Sequence, residues 1–244
     1  MLIDTINLQG NRFYRFRNVF PILFLIVGFL IWLNRDPFIA QQKHPQAEIV
    51  FEFLCLLISL IGITIRILTV GFNQAPYSLS GITKADKVFH KTGMYSMVRH
   101  PLYLGNFFIW LGLIVYLQNG KLLVCYLLFF TVIYERVMIT RENFLETIFG
   151  KAYRDWAKQI PAFFPNVLLY KKPAERFSFR SALIFEAPII FFTCLSFYFL
   201  EWAGRFWKAH EVETFWHCVM GTAIILTLVS LLLSKKENST QYGT

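Results

Sequence analysis

Residues Ile49–Val70 read IVFEFLCLLISLIGITIRILTV. A helix rises 1.5 Å per residue, so these 22 residues are long enough to cross a hydrocarbon layer of ~30 Å. Working outward, further apolar blocks fall at Val19–Leu33, Leu102–Leu117, Leu122–Ile139, Ala182–Leu200 and Phe215–Leu233. The first is short and extends back towards Phe16. Composition agrees: 56% of the 244 residues are hydrophobic and 16% charged, against about 25% charged in an ordinary soluble domain. The expected fold is all-α, a polytopic integral membrane helical bundle of about six transmembrane helices. The blocks leave no room for a soluble domain of ordinary size. The apolar run after Arg12, Arg15 and Arg17 is followed by no small-residue cleavage site, so it reads as a retained first span and not a secretory signal.

Six spans put both termini on one side. With the N-terminus inside, the inner segments hold 17 of the 24 Lys and Arg and the outer segments five. Arg66 and Arg136 lie within spans near their inner ends, where a long side chain can snorkel. This bias predicts an N-in, C-in arrangement. It also accounts for the net charge of +9, so no nucleic-acid partner is expected. Cys55, Cys125, Cys194 and Cys218 sit inside apolar blocks without metal-like spacing; they read as small packing residues, and no metal site is expected.

Two inner segments carry the chemistry. Residues 71–100 contain Asn73, Pro76, Gly81 and Gly93 and end in Arg99-His100-Pro101. Residues 140–181 begin as a helix continuing from the fourth span, stop at Gly150, a suitable residue just past a helix end, and continue through Tyr153, Trp156, Pro161, Phe163, Phe164 and Pro165. Between them a hairpin of two spans turns at Gln118-Asn119-Gly120, so both segments meet on the inner face. Pro101 opens the third span, where its missing N–H costs nothing. The free N–H groups there, with Arg99 and His100, form an anion-binding end. Gly105 and Gly112 fall on nearly one helix face and admit a helix or a ligand. The same features also suit a basic membrane boundary followed by a small-residue packing face. Glu135, Glu142 and Glu146 lie at i, i+7 and i+11, one face of a helix. Carboxylates at the inner end of a span need partners or water; they suit an amine or ribose hydroxyls, or else a solvated face.

Gly93, Tyr95, Arg99, His100, Pro101, Tyr103 and Gly105 match the pattern G-x-Y-x-x-x-R-H-P-x-Y-x-G. Glu142, Leu145, Phe149, Gly150, Tyr153 and Trp156, with Pro161 and Pro165 behind, match E-E-x-x-L-x-x-x-F-G-x-x-Y-x-x-Y/W. In these two motifs the chain resembles the isoprenylcysteine carboxyl methyltransferase-like family, which includes phospholipid methyltransferases. The resemblance covers about residues 70–166. It departs at Arg141, which replaces the first Glu of the pair, and at Phe89-His90-Lys91-Thr92.

The resemblance implies an S-adenosylmethionine-dependent methyltransferase. Cofactor-binding residues would be Tyr95, Arg99, His100, Pro101, Tyr103, Gly105, Glu142, Leu145, Tyr153 and Trp156. In this picture Arg99, His100 and the helix start hold the cofactor's carboxylate or nearby polar groups, Glu142 its hydroxyl or amine groups, and the aromatics its adenine or sulfonium. Arg136 and Glu142 are the catalytic candidates, with His90 as a further possible base. The domains would be a two-span region (1–70), a methyltransferase core (71–166) and a C-terminal two-span region (167–244). The stretch Tyr95–Asn106 looks most like bacterial branches, including lipid A phosphate methyltransferases. The expected partner is a membrane lipid or lipidated substrate with an anionic oxygen, a phosphate or carboxylate, in the bacterial inner membrane with the site facing the cytosol. Prenylcysteine carboxyl methylation, aminophospholipid N-methylation and an inactive scaffold of the same fold are the alternatives.

Overall fold

The computed structural model describes Phe13 and residues 19–33, 45–72, 90–208 and 214–241. Arg12, Arg15, Arg17, Asn73, Pro76, Gly81 and Phe89 lie outside the described residues. Among the described residues, seven helices run in the order α1 (Val19–Leu33), α2 (Pro45–Gly71), α3 (Pro101–Tyr116), α4 (Gly120–Phe149), α5 (Lys151–Ala157), α6 (Phe179–Lys208) and α7 (Thr214–Gln241). Short 3-10 turns at Met94–Ser96 and Val167–Leu169 sit in the connecting segments. Among the described residues there is no strand beyond a single bridge between Gly93 and Lys171.

All six expected apolar blocks are helical. Among the described residues, four helices are long and apolar enough to span a membrane: Ile49–Gly71, Gly120–Phe149, Phe179–Ala203 and Thr214–Ser234. The expectation of about six full spans is thus met in position, but α1, with 15 residues, and α3, with 16, are shorter. At 1.5 Å per residue they reach about 22 and 24 Å. α3 is cut short because Pro101 starts it and the turn at Gln118, with a left-handed φ of 52°, ends it. The Asn119 side chain then caps α4 by accepting from the N–H groups of Lys121 and Leu122 at 3.1 and 3.2 Å. Large apolar side chains face outward along the helices, among them Leu128, Phe192, Ile225 and Leu232, each more than 60% exposed. In a soluble protein that surface would be a liability; on spans it is the lipid-facing side. The chain is a polytopic helical membrane protein.

Among the described helices α2 packs most extensively on α3, and small residues let the two backbones approach. A side chain on Gly62 would run into the Gly105 carbonyl, and one on Gly112 into Ser59. Ser59 donates its hydroxyl to the Ile109 carbonyl at 2.8 Å, buried between the helices. The Gly105–Gly112 face therefore admits a helix.

Above Gly105 runs the stem of Arg66. Arg66 was expected to snorkel out of its span. Instead its Nε and Nη2 donate to both oxygens of Glu186 at 2.7 and 3.0 Å, and Nη1 donates to Asn106 Oδ1 at 2.8 Å. Glu186 is only 1% exposed, and the fork of the guanidinium meets both of its oxygens, a planar two-bond geometry. This triad ties α6 to α2 and α3.

At the opposite end of the bundle, Trp216 Nε1 donates to Glu52 at 3.0 Å and the Tyr116 hydroxyl donates to Glu201 at 2.7 Å. Phe197 stacks on Trp216 with centroids 5.6 Å apart.

Candidate functional site

The loop before α3 turns at Gly93, whose φ of 62° favours glycine. Its N–H donates to the Lys171 carbonyl at 2.9 Å. Ser96 Oγ donates to the Gly93 carbonyl at 2.7 Å and accepts from the Lys171 N–H at 2.8 Å. Further on, the Arg99 N–H donates to the Pro161 carbonyl and the Asn166 N–H to the Met97 carbonyl, at 2.9 and 3.0 Å. Backbone bonds thus lace the first motif to the segment behind the second. Pro161 suits this place, since it offers a carbonyl to accept without an N–H needing a partner.

The two motifs then meet through side chains. Arg99 Nη1 donates to Glu142 Oε2 at 2.6 Å, and His100 Nε2 lies 2.8 Å from Glu142 Oε1. His100 is the N-cap residue of α3, with Pro101 first in the helix. Glu142 stands on α4, seven residues before its C-terminal end at Phe149. An ionised carboxylate only accepts, so Nε2 carries the hydrogen in this pair. His100 is 6% exposed. Burial pushes its pKa below the ordinary value, with the Arg99 and Arg141 charges in the same direction and Glu142 opposing. The imidazole is therefore neutral at pH 7.

Aromatic rings line the approach. Tyr103 stacks on His100 with centroids 5.5 Å apart, and Tyr134 meets Tyr103 edge-on. Phe130 stacks on Tyr134 at 3.9 Å, and Phe163 packs edge-on against Phe107. These rings fill the space between α3 and α4. Tyr95 stacks on His90, whose pKa burial lowers against the pull of Glu175. Tyr153, on α5, is 2% exposed. Burial raises its pKa first, Glu142 adds to this, and Arg99 opposes it. It therefore sits within the electrostatic reach of the Arg99–Glu142 pair. Trp156 tilts against Tyr153 at 5.6 Å.

The fold thus gathers Arg99, His100, Pro101, Tyr103, Glu142 and Tyr153 at one end of the bundle. Leu145 is half-buried one turn beyond Glu142. Gly105 faces α2, its missing side chain making room for Arg66. Arg136 lies elsewhere. It donates Nη1 to the Val132 carbonyl of its own helix at 2.9 Å, and six residues of helix turn it to a different face from Glu142. Glu135 is exposed. Glu146 is 43% exposed and pairs with Arg154 on α5 at 3.2 Å, a surface pair worth about 0–1 kcal/mol.

Gly150, with φ 54°, breaks α4 from α5, and its N–H donates to the Glu146 carbonyl at 2.8 Å. Arg141, in place of the family's first Glu, lies with its guanidinium carbon 5.4 Å from the Phe144 ring centroid. A cavity of about 340 Å³ opens between the first-motif loop and α5, lined by Lys91, Ser96, Asp155, Trp156, Gln159 and Lys171 among others. Sequence reasoning reached Trp156 but missed the rest of that lining, which is spread over three segments without a motif of its own. Among the described residues, no three His, Cys, Asp or Glu gather as a metal site would require.

By fold and site, this is a helical membrane protein in which two motif segments close on one another at one end of the bundle. Residues 47–152 match the family model of phospholipid methyltransferases, and the family that the motifs resemble is supported. The match begins a span upstream of the motifs and takes in α2, the helix packed on α3.

Among curated proteins, the chain is 33% identical over 116 residues to the nickel-cobalt-cadmium resistance protein NccN of Alcaligenes xylosoxydans xylosoxydans, covering 48% of this chain and 52% of that one. It is 31% identical over 118 residues to the cobalt-zinc-cadmium resistance protein CzcN of Cupriavidus metallidurans, with the same two shares. To the protein-S-isoprenylcysteine O-methyltransferase of Schizosaccharomyces pombe it is 33% identical over 99 residues, 38% of this chain and 42% of that one. The chain spans about half the length of the first two relatives and less of the third. No solved structure matches.

Proposed function

We propose that this protein is an S-adenosylmethionine-dependent methyltransferase acting on an anionic oxygen of a membrane lipid, a phosphate or a carboxylate. The observation that carries the reading is the clasp of Arg99 and His100, from one motif, on Glu142, from the other. The family match over residues 47–152 supports methyl transfer. The residues present fit the cofactor's chemistry. Glu142 is 24% exposed and its oxygens retain lone pairs for an amine or ribose hydroxyl beyond the two bonds they accept. Arg99 and Arg141 offer charge to a carboxylate, and Tyr103, Tyr153 and Trp156 offer aromatic faces to a cationic or planar group. When bound, the cofactor supplies an electrophilic methyl group. The chain's own part is to orient donor and acceptor and to keep water out. Nothing here has to remove a proton if the acceptor is already anionic. Arg141 replaces a carboxylate with a cation at the site's edge, which favours such an acceptor.

Arg136, although it stands on a different face of α4 from Glu142, is proposed to hold the acceptor oxygen at the membrane boundary, where an anion would relieve the cost of a cation in a span. In Arg136→Leu, turnover should fall while cofactor affinity stays unchanged; normal turnover of a lipid substrate would assign the residue to anchoring. The yeast relative's name favours a second acceptor of the same chemistry, the carboxylate of an isoprenylcysteine. The family name keeps phospholipid N-methylation as a further alternative. The decisive test incubates the purified protein with isotopically methyl-labelled cofactor and lipid extract, followed by mass spectrometry. A labelled lipid one methyl group heavier names the acceptor. Failure to bind S-adenosylhomocysteine in nanodiscs, by a folded sample, overturns the reading in favour of an inactive scaffold.

A further inference from the structure

The segment between α5 and α6, together with the first residue of α6, presents several large apolar side chains outward. Phe164 is 81% exposed, Val167 70%, Leu168 94% and Phe179 81%. A floppy loop could show this by accident, but here the backbone is tied down. Besides the bonds to Gly93, Met97 and Arg99, Asn166 accepts from the Leu168 N–H at 3.1 Å, and the Leu169 N–H returns to the Asn166 carbonyl at 3.2 Å. The Ser178 N–H donates to the Gly71 carbonyl at 2.7 Å. Phe177 packs against Phe72, with centroids 5.0 Å apart. The segment is thus pinned to the end of α2, the start of α3 and the start of α6. These three span ends mark one boundary of the bilayer, so the segment lies at that boundary and not out in solvent.

Its charges complete the pattern. Between residues 158 and 180 stand Lys158, Lys171, Lys172, Arg176 and Arg180, against the single acidic Glu175. Apolar side chains among basic ones suit a surface of anionic lipid headgroups over acyl chains. Lysine and arginine stems can cover apolar surface while their charges meet phosphates.

We propose that residues 163–179 form an interfacial anchor that seats Phe164, Val167, Leu168 and Phe179 among the acyl chains of an anionic leaflet. Because Asn166 is bonded to Met97, Lys171 to Gly93, and the adjoining Pro161 to Arg99, the depth of the segment sets the height of Arg99 and His100 relative to the lipid headgroups. This inference stands whether or not the chain transfers methyl groups.

The test uses the full chain with its two exposed cysteines replaced (Cys125→Ser, Cys218→Ser), carrying Leu168→Cys labelled with an environment-sensitive fluorophore. Lys151→Cys, at the exposed start of α5, is the reference position. In liposomes of phosphatidylcholine with added phosphatidylglycerol, spin-labelled lipid should quench the label at 168 several-fold more than the label at 151. Iodide in the water should do the reverse. Quenching at 168 should weaken in phosphatidylcholine alone, and adding Lys171→Glu with Lys172→Glu should remove that dependence on the anionic lipid. Retained α-helical circular dichroism and a single size-exclusion peak select the folded samples. Iodide quenching at 168 equal to that at 151 overturns the anchor. Equal lipid quenching in the two liposome types overturns its preference for anionic lipid.

Discussion

Each oxygen of Glu142 faces a different donor, and the two donors differ in kind. Arg99 is permanently charged; His100 is buried and neutral, giving one hydrogen from Nε2. Removing either bond at this carboxylate should cost on the order of 1–3 kcal/mol, as hydrogen bonds to charged groups do, which is roughly a ten- to hundredfold loss of cofactor affinity or turnover. His100→Ala and Glu142→Gln should both show it, with expression nearly intact. Glu146→Gln should do much less, because its pair with Arg154 is exposed; equal, mild effects at all three positions would mark a solvated face.

The histidine also sets a pH dependence. Burial holds the folded pKa of His100 below the ordinary 6.5, so the unfolded chain takes up a proton more readily than the folded one. Stability from this group is therefore full above about 6.5 and is lost as pH falls below it towards the folded pKa. Burial acts on His90 in the same sense. Thermal unfolding in detergent should show a falling midpoint below that pH, and His100→Gln should flatten the fall. An unchanged profile would mean that His100 titrates freely.

Among the elements, α2, α3 and α6 are joined by a charge network inside the membrane. Arg66 is 12% exposed and Glu186 1%. Removing one partner of such a pair leaves a buried charge, a cost of about 3–5 kcal/mol, whereas replacing both with apolar groups is often neutral. Arg66→Leu alone should lower the unfolding midpoint sharply, and Arg66→Leu with Glu186→Leu should recover most of the loss. If the double variant is as unstable as the single, the pair matters for its contacts with Asn106 and not for its charge balance.

This network shows where sequence reading stopped. The helices were legible because each is a long apolar block, and the Gly105–Gly112 spacing marked a face open to close approach. The partner of Arg66 lies 120 residues away, with no local pattern pointing to it. Glu52 with Trp216 and Glu201 with Tyr116 were silent for the same reason. Arg99, His100 and Glu142 were visible because their motifs flank one hairpin, so connectivity alone brings them to one end. Their mutual bonding needed the lacing of Gly93, Ser96 and Arg99 to residues 161–171, a pattern of backbone bonds that spacing does not encode.

On the scale of the whole molecule, the question is which side of the membrane the site faces. The end of α2, the start of α3, the end of α4 and the start of α6 lie at one end of the bundle, together with the Arg99–His100–Glu142 clasp. The two segments at that end are also the richest in Lys and Arg. Residues 140–181 alone carry eight, while the turn at Gln118–Lys121 at the other end carries one. Membrane insertion retains short basic segments on the cytosolic side, so the site should face the cytosol, where a soluble cofactor can reach it. The shorter α1 and α3 do not alter this expectation, because charge bias is set by the segments between spans and α3 carries its own basic start at Arg99. Paired reporters test it: a fusion after Thr244 should be active only as a cytosolic marker, and an insertion at Lys121 only as an external one. The reverse pair of results would turn the molecule over. Two results on the same side would mean that one of α4, α6 and α7, the three long apolar helices between the two positions, does not cross.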